Sequence, residues 1–168
     1  MRKLTIVALL LCFPLTLAAQ TTTHKKDGKP RTTMTAVTVT PSTAEMKHLL
    51  DLWSSGDYDS VKPFYDKSPN DAFYDVLPLK YTGLEEYVEG VKKAFGEGGS
   101  VKLTMNDDAQ AHRSGNMAYG AATIRADVTD KTGKTQTLAA RWTVVWEKKG
   151  NQWLVVHEHT SVPMPENK

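Results

Sequence analysis

Hydrophobic and polar residues follow a helical period in the first half of the chain and a strand period in the second. Helices are predicted from a cap at Ser42 or Thr43 to about Trp53, and from a cap at 57–59 through Tyr65. A third helix, 84–95, has a broad apolar face.

A short hairpin is predicted between the second and third helices. The apolar run 72–77 is broken by Pro78, and 79–81 continues beyond it. The first half should therefore contain three helices with one inserted hairpin.

The second half is predicted as four consecutive antiparallel strands. Turn-forming residues at 113–116, 130–133 and 149–151 each precede β-branched or aromatic residues. A polar cluster at 106–108 inside the first strand is typical of a bulge. Helices followed by a long meander indicate an α+β fold.

The last hairpin, 141–163, is the stretch around which we expect the domain to be built. A three-residue loop at 149–151 would put Asn151 in the left-handed conformation and pair Lys148 with Gln152. Trp142 would then share a face with Glu158. A two-residue loop would exchange the faces.

The start of the chain has the features of an export signal. Met1 to Ala19 combine basic residues, an apolar run too short to span a bilayer and a small-residue end, which predicts a signal peptide at 1–19. The only cysteine, Cys12, lies within it. Residues 20–42 are rich in Thr and Lys and predict a flexible linker, and the domain should span 43–165. We expect an exported protein, periplasmic or secreted, without stable membrane insertion.

Charge argues against nucleic acid as a partner. The net charge of the whole chain is +2, but the basic residues are concentrated in 1–19 and 20–42, so the domain that follows is mildly acidic. A mildly acidic domain is a poor nucleic-acid binder. No phosphate loop or dinucleotide motif is present, and we predict no cofactor.

The triplet His157-Glu158-His159 is the most chemically suggestive motif. Two histidines two apart on a strand point the same way and could share a metal with Asp75 or His112 as third ligand. The spacing is common and fixes no third ligand. Hydrogen bonds that close the strand end explain the histidines more simply, so we predict no metal site.

The order of elements resembles the nuclear transport factor 2-like cone. Residues 56–57, 81–85 and 146–161 are similar to SnoaL-like domains of that superfamily and to the association domain of calcium/calmodulin-dependent protein kinase II. The resemblance covers about 43–163. It implies a bent four-stranded meander that wraps three helices and leaves a pocket at its open end.

The resemblance also implies which residues line this pocket. The kinase association domain holds carboxylate groups with arginines on three strands; Arg125 matches one of these positions, whereas Val144 and Thr160 occupy the others. The comparison places Tyr87 in the pocket and turns Glu158, rather than the histidines, inward.

Acid–base chemistry is a further implication, because related cones include isomerases and cyclases. Asp75 and Glu158 are the candidate catalytic bases, since burial raises a carboxyl pKa. Tyr74, Tyr81 or a histidine could donate to a developing oxyanion. Arg141 would contact an anion in the pocket or pair with an acid such as Glu158.

The favoured function is binding of a small, partly apolar organic ligand. The candidate ligand-binding residues are Tyr74, Tyr87, Arg125, Arg141, His157 and His159. Alternatives are an acid–base enzyme and a non-catalytic dimerisation module. We also expect a homodimer through the outer face of the sheet, and place the strand tryptophans 142, 146 and 153 in the core or on the dimer face.

Overall fold

The computed structural model describes residues 40–76, 78–96 and 98–164. The predicted signal peptide and linker residues 20–39 lie outside these ranges. Within them, no helix is long and apolar enough to cross a membrane.

Three helices precede most of the sheet. Helix α1 spans Thr43–Trp53 and begins at Ser42, whose hydroxyl accepts a hydrogen bond from the Glu45 amide at 3.2 Å. The second predicted helix is a 3-10 helix, Tyr58–Phe64, with Pro63 inside it. Its short turns suit a seven-residue segment whose proline has no amide to donate. Helix α2 spans Leu84–Phe95.

Seven strands form one sheet in the order β2-β1-β7-β6-β5-β3, with β4 also paired to β5. β1 pairs antiparallel with β2, as the predicted hairpin requires, and parallel with β7. The α+β prediction is confirmed. The strands are β1 Ala72–Tyr74, β2 Tyr81–Thr82, β3 Ser100–Met105, β4 Gln110–Ser114, β5 Met117–Thr129, β6 Thr135–Lys149 and β7 Gln152–Ser161.

The first strand of the predicted meander is divided into β3 and β4 by a wider interruption than a simple bulge. Met105 pairs with Ile124, whereas Gln110 pairs with Ala121. Side chains stabilise this interruption: Asp108 accepts from the Thr123 amide at 2.9 Å, and the Asn106 amide group donates to the Thr123 hydroxyl at 2.8 Å.

The final hairpin differs from the predicted register in two places that compensate for each other. Lys149 pairs with Gln152, so the loop has two residues and the three-residue prediction is wrong. A bulge in β7 opposite the Val145/Trp146 step then shifts the register by one. Beyond the bulge Glu158 pairs with Val144. Glu158 therefore lies on the same face of the sheet as Val144 and Trp142, as predicted.

The core lies between the helices and the inner face of the sheet. The three strand tryptophans, 142, 146 and 153, are all buried there, which places them in the core rather than on a dimer face. Glycine is required at position 90 of α2, because a Cβ at that position would overlap the Tyr81 ring.

Candidate functional site

A cavity of about 290 Å³ lies between α2 and the inner face of the sheet. Its wall is mostly aliphatic and aromatic, which is typical of sites for small organic molecules. The polar side chains that reach it include two carboxyl groups, Asp75 and Glu158. The lining residues from the helices include Trp53, Tyr87, Val91 and Phe95; those from the strands include Leu103, Ile124, Ala126, Ala140, Trp142 and Thr160.

Glu158 is the buried polar centre of this site, with only 1% of its surface exposed. The Tyr65 hydroxyl donates to its Oε1 at 2.7 Å, and the Tyr87 hydroxyl donates to its Oε2 at 3.1 Å. The Trp53 indole in turn donates to the Tyr65 hydroxyl at 2.8 Å. Three separate elements therefore orient one carboxyl group.

Burial raises the pKa of Glu158 to about 8. Hydrogen bonds from Tyr65 and Tyr87 oppose this rise in the pKa, and the charge of Asp75 adds to it. Burial, together with the charge of Glu158, also raises the pKa values of Tyr65 and Tyr87 well above the ordinary tyrosine value. At neutral pH Glu158 is therefore a mostly protonated carboxylic acid between two neutral phenols, and its charge affects the two tyrosines only once it ionises at higher pH.

Asp75 follows β1 on the face that Phe73 buries, because successive side chains of a strand alternate. It lines the cavity, and its Oδ1 accepts from the Val76 amide at 2.7 Å. Burial raises its pKa, while this backbone hydrogen bond lowers it. The two predicted catalytic carboxyls are thus in one cavity; their catalytic role stays a prediction.

Aromatic rings form one side of the cavity around Tyr87. The ring centroids of Trp53 and Tyr81 lie 4.8 and 5.3 Å from that of Tyr87, and Phe73 stacks on it at 4.9 Å. Trp53, Tyr81 and Tyr87 also line the cavity. The prediction that Tyr87 faces the pocket agrees with this geometry.

Arg125 lies on the outer face of the sheet, so its predicted orientation toward the pocket is wrong. Its neighbours Ile124 and Ala126 point into the cavity, and strand alternation turns Arg125 away. Its side chain is 60% exposed, and its Nη2 lies 2.9 Å from Oδ1 of Asp127. The resemblance identified the strand but not the direction of the side chain.

Arg141 also lies on the outer face, exposed and next to the inward-facing Trp142. Glu158 is on the opposite side of the sheet, so the predicted ion pair between Arg141 and Glu158 is wrong, and so is contact of Arg141 with the cavity. The β7 bulge determines this outcome, because it leaves Glu158 inward.

His157, His159 and Tyr74 form a cluster outside the cavity, contrary to the prediction that they line it. The Tyr74 ring contacts both histidine rings edge-on, at 5.5 and 5.7 Å between centroids. His157 Nδ1 lies 2.6 Å from the carbonyl oxygen of Ala72, which agrees with the simpler prediction of strand-end hydrogen bonding.

The geometry separates the residues of the metal hypothesis. Asp75 lines the cavity, whereas both triplet histidines are on the other side of the sheet. His112, on β4, stacks on Tyr119 at 5.1 Å and lies away from β7 in the sheet order. These residues cannot share one ion in this arrangement.

Sequence reasoning missed the part that Tyr65 and Trp53 play in the site. Both were predicted only as the last residues of the first two helices. A detectable signal existed, because a buried tyrosine or tryptophan needs a partner for its polar hydrogen. The pattern could not identify that partner, since Tyr65 and Glu158 are distant in sequence.

The fold is that of the nuclear transport factor 2-like α+β domains, as predicted. The chain matches the calcium/calmodulin dependent protein kinase II association domain family over residues 43–165, and it belongs to that family. A comparison with curated proteins found no match.

Solved structures share the fold at low sequence identity. A nuclear transport factor 2-like superfamily protein from Salmonella enterica is 22% identical with a TM-score of 0.67, over 74% of this chain and 90% of that one. A nuclear transport factor 2-like protein from Pseudomonas putida is 23% identical with a TM-score of 0.59, over 76% and 92%. The association domain of C. elegans CaMKII is 24% identical with a TM-score of 0.56, over 71% and 92%.

Proposed function

We propose that this domain binds a small, partly apolar organic ligand in the cavity beneath α2. The observation that carries the proposal is a cavity with mostly apolar walls into which an oriented, buried carboxyl group, Glu158, projects. A buried carboxyl destabilises a fold unless it is hydrogen-bonded, and here Tyr65 and Tyr87 hold it in one position. That arrangement suits a group that orients a ligand.

We further infer that the sheet bends around the helices as a cone. Support comes from the lining of the cavity, which includes α2 and the strands β3, β5, β6 and β7. A flat sheet facing one helix would not contribute from so many strands.

Two neighbouring alanines of β6 allow a matched test of ligand binding. Ala140 is buried and lines the cavity, whereas Ala139 is exposed on the other face. Calorimetric titration with 2-phenylethanol should detect binding to the wild-type protein and to Ala139→Phe, but not to Ala140→Phe. Near-ultraviolet circular dichroism would check that both variants fold.

The proposal would be contradicted if 2-phenylethanol bound to neither the wild-type protein nor Ala139→Phe, and if native mass spectrometry of the purified domain found no retained molecule. Equal binding to both phenylalanine variants would also contradict it, because binding would then occur elsewhere.

Acid–base catalysis is the second candidate, favoured by two carboxyls with raised pKa values in one apolar cavity. One carboxylate would take a proton from the carbon next to a ketone, and the other carboxyl would give its proton to the carbonyl oxygen. Deuterium exchange into cyclohexanone in heavy water, followed by NMR, tests this step. If the wild-type protein exchanges deuterium into cyclohexanone faster than buffer alone, and Asp75→Asn and Glu158→Gln lose this acceleration, catalysis is supported. If exchange with the wild-type protein occurs at the buffer rate, catalysis is contradicted.

We also infer that the domain forms a homodimer through the outer face of the sheet. Residues His112, Met117, Tyr119 and Val145 form an outer patch, on which Met117 and Tyr119 are about half exposed. Exposed apolar groups that lie together are typical of association surfaces. Membership of a family named for association agrees with this.

A further inference from the structure

We infer that the ligand of the cavity is an organic cation, an amine with a small apolar body. This inference rests on the proposed ligand-binding function and names the chemical class of the ligand. It depends on three features of the cavity: its acidic residues without basic partners, the aromatic rings in its wall and the orientation of Glu158.

The cavity contains carboxyl groups and no basic side chain among its described lining residues. Asp75 and Glu158 line it, and none of the described lining residues is a lysine, an arginine or a histidine. The outer-face residues Arg125 and Arg141 are separated from it by the sheet. An anion would lose its hydration here beside two acids, whereas a cation would gain a counter-ion.

The aromatic rings of the wall also favour a positively charged ligand. Trp53, Tyr81, Tyr87 and Trp142 all line the cavity. The face of an aromatic ring is negative and attracts an ammonium group, most strongly where water is excluded. Aliphatic residues such as Val91 and Ile124 complete the wall and would contact the apolar body.

Glu158 gives the inference a measurable signature. Without a cation nearby, burial keeps this carboxyl mostly protonated at neutral pH. An ammonium group beside it favours the carboxylate, which Tyr65 and Tyr87 already face with hydroxyl donors. Binding of an amine should therefore release a proton.

The other titratable groups of this region are three tyrosines and Asp75. Tyr65, Tyr81 and Tyr87 have pKa values raised above the ordinary tyrosine value, so they stay neutral near pH 7. Asp75 also has a raised pKa and could share in the release. Variants of the two acids separate their contributions.

Three probes with one phenyl body and different polar groups test the inference: 2-phenylethylamine, 2-phenylethanol and 3-phenylpropionate. Isothermal titration calorimetry at pH 7, in buffers with different ionisation heats, measures affinity and proton release together. We expect the amine to bind at least about tenfold more tightly than the alcohol and the acid at least about tenfold more weakly. Amine binding should release about one proton.

Glu158→Gln should remove most of the proton release and of the preference for the amine, while the alcohol still binds. Asp75→Asn should weaken amine binding with less effect on the release, and it provides an independent test if Glu158→Gln does not fold. Glu89→Gln is the matched control: this exposed residue of α2 pairs with Lys92 outside the cavity and should behave as wild type.

The outcomes distinguish this inference from the proposed function. If the alcohol binds as tightly as the amine without proton release, and Ala140→Phe blocks both, ligand binding stands and the cation inference is overturned. Tightest binding of 3-phenylpropionate overturns it also. If none of the three probes binds and native mass spectrometry finds no retained molecule, both are contradicted.

Discussion

Glu158 makes the stability of the domain depend on pH. Burial raises its pKa from 4.5 to about 8, so the folded chain holds this proton more tightly than the unfolded chain. Its stabilising contribution is complete below pH 4.5, decreases by about 1.4 kcal/mol per pH unit above that, and is lost once the pH passes about 8. We expect Glu158→Gln, which cannot ionise, to lack this decrease.

Urea unfolding between about pH 5 and pH 9 measures the effect as a difference between two curves. The free energies of unfolding of wild type and Glu158→Gln should diverge with rising pH, with the variant the more stable at the alkaline end. The exposed Glu89→Gln should follow the wild type. Parallel curves for wild type and Glu158→Gln would show that burial does not shift this pKa.

The two tyrosines that donate to Glu158 should differ in their energetic importance. Tyr87→Phe removes one hydrogen bond and should cost about 1 kcal/mol. Tyr65→Phe removes a hydrogen bond and also leaves the buried Trp53 indole without its acceptor, so it should cost about 2 to 3 kcal/mol.

Urea unfolding at neutral pH compares the two variants directly. Tyr119→Phe, which removes a hydroxyl from an exposed residue of the outer face, should change the free energy of unfolding little. A larger cost for Tyr87→Phe than for Tyr65→Phe would be inconsistent with the chain of hydrogen bonds from Trp53 to Glu158.

Among the elements, α2 contributes a glycine that allows the Tyr81 ring to lie against the helix. In an exposed helix interior, Gly→Ala stabilises by about 1 kcal/mol. At Gly90 the new methyl group would overlap the Tyr81 ring, so we expect Gly90→Ala to destabilise the domain instead and to weaken binding of 2-phenylethylamine. Thermal unfolding and calorimetry measure the two effects.

Lys93→Ala provides a control for Gly90→Ala, because Lys93 is an exposed residue of the same helix. It should leave binding unchanged. If Gly90→Ala raised the melting temperature and preserved the affinity, the packing of Tyr81 against α2 would not be needed for the site.

The elements show what the sequence could predict and what it could not. Helices such as 84–95 have a long apolar period, so their existence was predictable. The inward direction of Glu158 was predicted correctly although the loop length was wrong, because the bulge in β7 reverses the change made by the two-residue loop. A bulge depends on partners across the sheet, and no local pattern specifies it.

The site was predictable only in part for a similar reason. Resemblance and alternation indicated Tyr87 and Glu158. The hydrogen bonds that orient Glu158 come from α1, α2 and the residue after the 3-10 helix. Such contacts are decided by the packing of the whole domain. Arg125 was misplaced because matching a position in a family does not fix its face.

At the scale of the whole molecule, the cavity and the outer patch lie on opposite faces of the sheet. Tyr119 belongs to the patch, whereas Ala118 and Ala122 on the same strand are buried beneath it. Ligand binding and self-association should therefore be separable by mutation.

In a two-fold dimer the same patch is buried on both subunits, so one substitution acts twice. Tyr119→Lys would place two charges in the interface and should weaken the dimer at least about tenfold. Light scattering over a concentration series measures this change, and Leu79→Lys, at an exposed apolar residue outside the patch, should have no effect.

Because Tyr119 faces away from the cavity, binding of 2-phenylethylamine should be unchanged in the monomeric variant Tyr119→Lys. Loss of binding together with dimer dissociation would mean that the partner subunit supports the site, and an unchanged dimer would locate the interface elsewhere.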